Sequence, residues 1–324
     1  MVIDRVTLIV SDLDRAEDDY VATFGCTVDH RADIEPALTG VLCIPPARGR
    51  RSLLRLGRQR IELLEFMDSA GRPYPPGSTS TDLWFQHMAI VVNDMTCAYQ
   101  RVMANRRFRP ISRDGPVRLP GSSGGVTAFK FRDHDGHPRE LLAFPEGRVP
   151  GEWRNANGTG SFLGVDHTAI AVSDPASSAR FFGSVFGFST GTRTENRGPE
   201  QADLDDVEDV SVSVTRLAPD LPAPRLELLH YHAGTRRPIP HDTASNDIVA
   251  THSVVRVASL DATAAALARR GTPLADDDLM VLRGDIRAAL VAGPDGHRFL
   301  AEEKAAAATC AIPGQRSRAS EMPG

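Results

Sequence analysis

Internal repetition constrains the fold of this chain more than any other feature of its sequence. The segment RIELLEFMDSAGRPYPPGSTSTDLWFQH, which begins at Arg60, aligns without a gap with RLELLHYHAGTRRPIPHDTASNDIVATH, which begins at Arg225. Upstream, DRVTLIVSDLDRAEDDYVATFGC from Asp4 matches DHTAIAVSDPASSARFFGSVFGF from Asp166. A long repeat indicates the architecture directly, because each copy is expected to form the same structural unit. The chain is therefore predicted to consist of two tandem halves.

A shorter repeat inside each half raises the number of units to four. FQHMAIVVNDMTCAYQRVMANRRF and ATHSVVRVASLDATAAALARRG resemble the opening of each half, so that modules begin near Ile3, Phe85, Val165 and Thr251. Each module opens with an apolar run of strand length, followed by Asp or Ser and a helical pattern. Later apolar runs, separated by Gly, Pro and Asp turns, predict three antiparallel strands. The predicted fold class is α+β, with four βαβββ modules.

The repeat boundaries also predict the domain organisation. The N-terminal domain is predicted at residues 1–147, with modules at 3–66 and 85–145. The C-terminal domain is predicted at 163–304, with modules at 163–231 and 250–304. A stretch rich in Gly, Asn and Pro at 148–162 is typical of a linker. Residues 305–324 lose hydrophobic periodicity, and we expect a flexible tail there.

Composition narrows the class of partner. The net charge of the chain is only −5, and its basic and acidic residues are interspersed, which favours a small-molecule partner over a nucleic acid. No apolar run approaches the roughly 20 residues of a membrane helix, so we expect a cytoplasmic protein without membrane contact. The four cysteines are far apart and form no CxxC pair, which argues against both disulfides and a thiolate zinc site. The sequence is compatible with a monomer or a homodimer.

The number and order of the modules, with their closing motifs IELLEF, RELLAF and LELLHY, resemble the vicinal-oxygen-chelate (VOC) superfamily. This superfamily includes glyoxalase I, bleomycin resistance proteins and extradiol dioxygenases, and the resemblance covers roughly residues 3–303. It implies two tandem VOC domains, in which two modules curve into an open barrel around one divalent metal. Imidazole nitrogen and carboxylate oxygen suit Zn, Ni, Mn, Co or Fe(II) as that metal.

The resemblance places a metal ligand on the first strand and another on the last strand of each module. In chain order, the first-strand positions hold Arg5, His87, His167 and His252. The last-strand positions hold Glu62, Glu140, Glu227 and Leu300, because DGHPRE and DGHRFL align without a gap. Glu302 follows on the same strand face as Leu300, shifted along the strand by roughly 6–7 Å. Modules one and four therefore each lack one expected ligand.

Two pairings of modules are known in the family, and they predict different sites. Sequential pairing, as in extradiol dioxygenases, leaves both sites incomplete. Swapped pairing, as in single-chain glyoxalase I proteins, collects a complete set from modules two and three, and puts both defects in the other barrel. The complete set comprises His87, Glu140, His167 and Glu227. The coincidence of the two defects favours swapping.

Three functions follow from the resemblance. The first is a glyoxalase-I-like lyase or isomerase that works through a metal-stabilised enediolate, with Glu140 as catalytic base and Glu227 as plain ligand, or the two roles exchanged. The second is an Fe(II) ring-cleaving dioxygenase that uses His167 and His252. The second-choice metal ligands are His252, Glu62 and Glu302. The third is a metal-free binding or resistance protein, which is supported by Arg5 and Leu300 at two positions where a metal ligand is expected.

Other charged and polar residues have simpler interpretations. Arg5 is expected to pair with Glu62 where a metal would otherwise lie. His134, His137 and His297 lie in Asp-Gly turns and are expected to be solvated. The acidic run PEQADLDDVED, which begins at Pro199, is expected to form a solvated loop, with a lid over the substrate as the alternative.

Overall fold

The computed structural model of the chain describes residues 1–154, 160–218, 220–275, 278–282 and 284–304. The predicted flexible tail at 305–324 and part of the predicted linker lie outside these residues. The helices and strands follow the four-module order.

The first half contains modules one and two. Module one consists of β1 (Val2–Ile9), α1 (Leu13–Phe24), β2 (Thr27–Asp33), α2 (Pro36–Val41), β3 (Gly49–Leu56) and β4 (Gln59–Phe66). Module two consists of β5 (Gln86–Val92), α3 (Met95–Ala104), β6 (Arg109–Pro110), β7 (Val117–Arg118), a 3₁₀ turn at Gly121–Ser123, β8 (Thr127–Arg132) and β9 (Pro138–Ala143). A short helix, α4 (Gly151–Arg154), follows the first half.

The second half repeats this order. Module three consists of β10 (Phe162–Ala171), α5 (Pro175–Phe186), β11 (Thr190–Arg197), α6 (Pro199–Asp205), β12 (Ser211–Leu217) and β13 (Arg225–Tyr231). Module four consists of β14 (His252–Arg256), α7 (Leu260–Arg269), β15 (Met280–Leu282), β16 (Ile286–Ala292) and β17 (Arg298–Lys304).

The recurring Asp or Ser after each first strand caps the helix that follows. Asp12, Asp94, Asp174 and Ser259 each accept a hydrogen bond from a backbone N–H in the first helical turn. A side-chain oxygen at this position satisfies an amide that has no partner within the helix. The repeated sequence pattern thus fixes where each of the four long helices begins.

The strands form two mixed sheets, and each sheet takes one module from each half. Modules one and four form an eight-stranded sheet in the order β15-β16-β17-β14-β1-β4-β3-β2. Modules two and three form a nine-stranded sheet, with the main path β11-β12-β13-β10-β5-β9-β8-β6. The first strands meet at the centre, where β1 is antiparallel to β14 and β5 is antiparallel to β10. The modules are therefore swapped, and neither half forms a barrel from its own strands.

The register of the strands is the same in all four modules. In each, the first and last strands are parallel, and the last-strand position lies opposite the residue two beyond the first-strand position. The pairs are Thr7 with Glu62, Ala89 with Glu140, Ala169 with Glu227, and Val254 with Leu300. Leu300 therefore stands where the other three modules have glutamate.

Alternate residues of each strand face two different environments. Along β5, Met88, Ile90 and Val92 belong to a hydrophobic core that the two modules of the first half share with α1 and α3. A similar core joins modules three and four around Phe182, and the ring of Phe299 lies 4.9 Å from it. The opposite strand face, which includes His87, turns to the concave side of the sheet. Each half thus has its own helix-covered core, and the barrels lie between the halves.

The histidines of the Asp-Gly turns are buried, and the expectation that they are solvated was wrong. Nδ1 of His137 lies 3.1 Å from the carboxylate of Asp133, and its Nε2 lies 3.1 Å from the carbonyl oxygen of Ile248. Nε2 of His297 lies 2.8 Å from the carbonyl oxygen of Ala171. His134 lies between two aspartates. These side chains tie the turns to neighbouring modules.

Candidate metal centre

Four side chains converge on the concave face of the sheet formed by modules two and three. His87 and His167 come from the adjacent antiparallel strands β5 and β10. Glu140 and Glu227 come from β9 and β13, which flank this pair on either side. All four residues are buried. The swap of modules brings them together, since two come from each half of the chain.

The distances within this group suit a single small cation. Oε2 of Glu140 lies 3.2 Å from Nε2 of His87 and 3.7 Å from Nε2 of His167. Oε2 of Glu227 lies 3.5 Å from the same nitrogen of His167. One ligand atom from each of His87, Glu140 and His167 lies within 4.8 Å of the others. Two imidazole nitrogens and the Glu140 carboxylate therefore face a common point, and Glu227 lies next to them through its contact with His167.

His87 provides the test of whether a cation fits this group. Both of its ring nitrogens are buried, and neither has a hydrogen-bond partner in the described part of the chain. Its Nε2 is close to Glu140, but not in hydrogen-bonding geometry. Buried polar atoms without a partner are rare, because they lose their hydration without compensation. A divalent cation between the imidazoles and the carboxylates satisfies Nε2, and these donors are ones that zinc and its neighbours accept.

Electrostatics within the group also favour a positive charge. Burial opposes protonation of His167, but the carboxylates of Glu227, Asp166 and Glu140 raise its pKa to about 9. Burial likewise disfavours the charged form of Glu140, yet His87, Lys130 and His167 lower its pKa to about 2. Burial lowers the pKa of His87 despite the opposing effect of Glu140. In the absence of a metal, the group therefore draws a proton onto His167, and a bound cation would replace that charge.

The two carboxylates have different surroundings. Oε1 of Glu227 accepts a hydrogen bond of 2.8 Å from Nε of Arg216. Among the described residues, the only basic side chains within 4 Å of the Glu140 carboxylate are His87 and His167. Glu227 is therefore fixed by a partner outside the group, whereas Glu140 has none.

A cavity of about 400 Å³ opens above the four side chains. One wall is formed by the alternate residues Thr192, Thr194 and Asn196 of β11, and another by Leu204 of α6. Val212 and Val214 add to the apolar lining, and apolar side chains around a few converging polar groups are typical of small-molecule sites. The site therefore has space for a substrate beside the cluster.

The acidic run from Pro199 forms helix α6 at the edge of this cavity, so the expectation of a solvated loop was wrong for this part. Asp205 is fully buried, and its Oδ1 accepts a hydrogen bond of 2.6 Å from Nζ of Lys130. Its Oδ2 accepts hydrogen bonds from Gln201 and Tyr231. Arg113 pairs with the more exposed acids that flank it. These ion pairs attach α6 to module two and cover one side of the site.

The barrel of modules one and four has a different interior. Nε of Arg5 donates to Oε2 of Glu62 at 3.0 Å, and Nη2 donates to Oε1 of Glu302 at 2.7 Å. The expected pairing of Arg5 with Glu62 is confirmed, and Glu302 completes it. Leu300 belongs to an apolar cluster with Ile9 and residues of α2. Arg5 and Leu300 thus stand where the other barrel has a histidine and a glutamate.

The second-choice ligands do not form a comparable group. His252 is buried beside Arg5 and Glu62, and burial lowers its pKa to about 4. Glu62 and Glu302 are both engaged by Arg5. His167 and His252 lie in different sheets, so the dioxygenase arrangement that combines them is not formed. Within the described ranges, no other three His, Cys, Asp or Glu side chains come as close together as His87, Glu140 and His167.

The sequence interpretation missed several residues around the site. Asp166 contacts His167, Arg216 holds Glu227, and Lys130 pairs with Asp205. Only Asp166 had a visible signal, since the repeat places an aspartate directly before the first-strand position in modules one and three. The other contacts depend on tertiary packing.

Comparison with known proteins identifies the family. The Glyoxalase/Bleomycin resistance protein/Dioxygenase superfamily matches this chain at residues 2–141 and again at 164–300. The chain belongs to this superfamily. No curated protein sequence matches the chain.

Solved structures show the same fold at low sequence identity. Glyoxalase I from Zea mays is 14% identical, with a TM-score of 0.60 over 93% of this chain and 92% of the maize chain. A mutant form of the maize enzyme is 17% identical, with a TM-score of 0.61 over 93% and 92% of the two chains. A putative dioxygenase from Bacillus subtilis is 14% identical, with a TM-score of 0.52 over 94% and 86%. The chain therefore has the two-domain α+β fold of glyoxalase I. None of the helices in the described residues has the length and apolar character to cross a membrane.

Proposed function

We propose that this protein is a divalent-metal-dependent lyase or isomerase, similar to glyoxalase I, with one working site between modules two and three. The observation that carries the proposal is the close group of His87, Glu140 and His167 at the base of a cavity, with Glu227 beside His167. The buried nitrogens of His87 lack a partner among the described residues. The ligands proposed for the metal are these four residues. The substrate is a small molecule with two adjacent oxygens.

A metal bound there would polarise the substrate carbonyl and stabilise negative charge that develops on its oxygens. The protein must also move a proton at the carbon next to that carbonyl. Glu140 is ionised at neutral pH, and its carboxylate is not held by any arginine or lysine within 4 Å among the described residues. Glu227 is fixed by Arg216. These surroundings support Glu140 as the catalytic base and Glu227 as the plain ligand.

The cavity walls supply a second requirement of this chemistry. Leu204 of α6 and Val212 and Val214 of β12 line the space above the cluster. Apolar walls limit the access of water to a reacting carbanion-like centre, and they strengthen the electrostatic interactions within the site. Helix α6 is thus proposed to protect the reaction.

The first test is elemental analysis of protein purified anaerobically without chelator. We expect about one equivalent of a divalent metal in the wild type, and its loss in His87→Gln and His167→Gln. The matched control is His252→Gln, which changes a buried first-strand histidine of the other barrel and should retain the metal. Absence of metal from the wild type, even after incubation with Zn, Ni, Mn, Co or Fe(II), would overturn the proposal and leave a metal-free binding protein.

The second test concerns the proton transfer. Glu140→Gln should reduce turnover of a hemithioacetal substrate by about 10²–10⁴-fold, which is the range for loss of a general base. Glu227→Gln removes a carboxylate from the equivalent position of module three and serves as the matched variant. A larger loss of turnover in Glu227→Gln than in Glu140→Gln, at equal metal content, would exchange the two roles.

A further inference from the structure

His167 is oriented by a carboxylate next to it in the sequence. Its Nδ1 lies 2.9 Å from Oδ2 of Asp166, and both residues are buried. An ionised carboxylate only accepts hydrogen bonds, so Nδ1 must carry the proton. The other ring nitrogen, Nε2, is the one that faces Glu140 and Glu227. The contact thus determines which nitrogen of His167 is presented to the cluster.

Asp166 is in turn held by a residue from the segment between the two halves. Nε1 of Trp153, in α4, donates to Oδ1 of Asp166 at 2.9 Å. Nη1 of Arg225 lies 3.5 Å from the same oxygen. The Trp153 side chain is buried in a small apolar cluster with Leu163 and Val91. Both oxygens of the Asp166 carboxylate therefore have partners, and its rotation is restricted.

The internal repeat shows that an aspartate stands directly before the first-strand position only in modules one and three. Asp4 occupies the same position before Arg5, and its Oδ2 lies 3.2 Å from the Nη1 of Arg5. In module two the preceding residue is Gln86, whose amide donates to Thr168 rather than contacting His87. His87 has no hydrogen-bond partner among the described residues. Asp166 thus orients His167, whereas among the described residues no hydrogen bond orients His87.

We infer that Asp166 is a positioning residue, which Trp153 holds in place and which fixes His167 with its Nε2 toward Glu140 and Glu227. A carboxylate behind an imidazole sets its tautomer and orientation, and it raises the basicity of the nitrogen that binds a metal. The part of the inference that concerns metal affinity rests on the proposed function. The part that concerns the orientation of His167 does not.

The orientation is tested on metal-free protein by NMR with ¹⁵N-labelled histidine. The Nδ1 proton of His167 should give a downfield, slowly exchanging resonance, identified as Nδ1 by its couplings to the ring protons and assigned by its absence in His167→Gln. Asp166→Asn should move this resonance out of the downfield region, because a neutral amide is a weaker acceptor. Trp153→Phe, which removes the indole donor and keeps an aromatic ring, should increase its exchange rate. Asp4→Asn is the matched control and should leave it unchanged.

The effect on metal binding is tested by titration of Zn(II) against a chelator of known affinity. Asp166→Asn should weaken binding by about 10–100-fold, the range for loss of a partner behind a metal-binding histidine. Trp153→Phe should weaken it by a smaller factor, and Asp4→Asn should have no effect. Unfolding midpoints of the metal-free variants establish that each is folded.

The two tests separate the inference from the proposed function. An unchanged Nδ1 resonance in Asp166→Asn overturns the inference, whatever the metal data show. A lost resonance with unchanged zinc affinity overturns the role of Asp166 in binding. A wild-type protein that binds no metal overturns the proposed function, while the Nδ1 resonance still decides whether Asp166 orients His167.

Discussion

Nη2 of Arg5 donates to Oε1 of Glu302 across 2.7 Å, and so connects the first strand of module one with the last strand of module four. The same guanidinium reaches Glu62 on β4 through its Nε. The Arg5 side chain is only 12% exposed, and the two carboxylates are buried. A single guanidinium thus pairs with two buried acids at the centre of the barrel that lacks the candidate metal cluster.

Removal of this cation should destabilise the protein. Arg5→Met leaves Glu302 and Glu62 buried without their shared guanidinium, with Arg51 3.7 Å from Glu62, and breaking a buried ion pair in this way costs about 3–5 kcal/mol. Chemical denaturation monitored by circular dichroism measures the loss. Arg48→Met is the control, because Arg48 pairs with Asp68 at an exposed site and should give no measurable change. Equal effects of the two substitutions would contradict the central role of Arg5.

The Arg5→Met variant also tests how the stability of the protein depends on pH. Burial would raise the pKa of Glu62, but Arg5, Arg51 and Thr7 together lower that pKa from 4.5 to about 2. A carboxyl group with a depressed pKa stabilises the folded protein above its unfolded pKa, and that contribution is lost as the pH falls toward the folded value. Arg5→Met removes the largest of the effects that lower this pKa, so the difference in stability between wild type and variant should shrink as the pH falls from about 4.5 toward 2. A difference that stays constant over this range would show that Glu62 is not the linked group.

The buried pair of Lys130 and Asp205 should hold α6 over the cavity. Lys130→Met leaves Asp205 without this cation, so the helix should open, and the amides of residues 200–205 should exchange hydrogen at least about tenfold faster. Hydrogen-exchange mass spectrometry measures this locally. Arg113→Met removes the exposed ion pairs of the same segment and should change exchange far less. Full protection of α6 in Lys130→Met would mean that other contacts attach the helix.

Gly57 and Gly77 lie in turns, and substitutions at these two positions distinguish the cost of the backbone conformation from the cost of a steric clash. Gly57 and Gly77 have nearly the same φ, +61° and +62°. A Cβ at Gly57 would lie 2.0 Å from the carbonyl oxygen of Leu163, whereas in the described structure nothing lies within 4 Å at Gly77. Gly77→Ala should cost about 1–2 kcal/mol for the left-handed conformation. Gly57→Ala should cost about 1–3 kcal/mol more, because the backbone must move. Equal free energies of unfolding in the two variants would show that the backbone at Gly57 moves without a measurable cost.

The sequence repeat predicted the modules, and together with the family resemblance it indicated which positions on the first and last strands lie close together. The gapless alignment of DGHPRE with DGHRFL places Leu300 opposite Val254, as Glu140 stands opposite Ala89, and the strand register agrees. This succeeds because a strand has a fixed period of two, so that one aligned residue determines which side chains share its face.

The pairing of modules and the contacts around the cluster could not be predicted in the same way. Sequential and swapped barrels use identical modules, and the segment at 148–162 is compatible with both. The contact of Lys130 with Asp205 joins residues far apart in sequence, and no local pattern marks it. The burial of His137 depends on the carbonyl of Ile248 from the other half. Such contacts exist only after the sheets have formed.

The swapped arrangement has a consequence for how the two barrels can diverge. Two separate copies of one half would pair with two-fold symmetry, and any substitution would then appear in both barrels at once. In the single chain the symmetry is only approximate, so a substitution changes one barrel alone. Arg5 and Leu300 both belong to the same barrel, while His87 and His167 are retained in the other. Fusion of the halves thus allows one barrel to become a structural support while the other keeps its polar cluster.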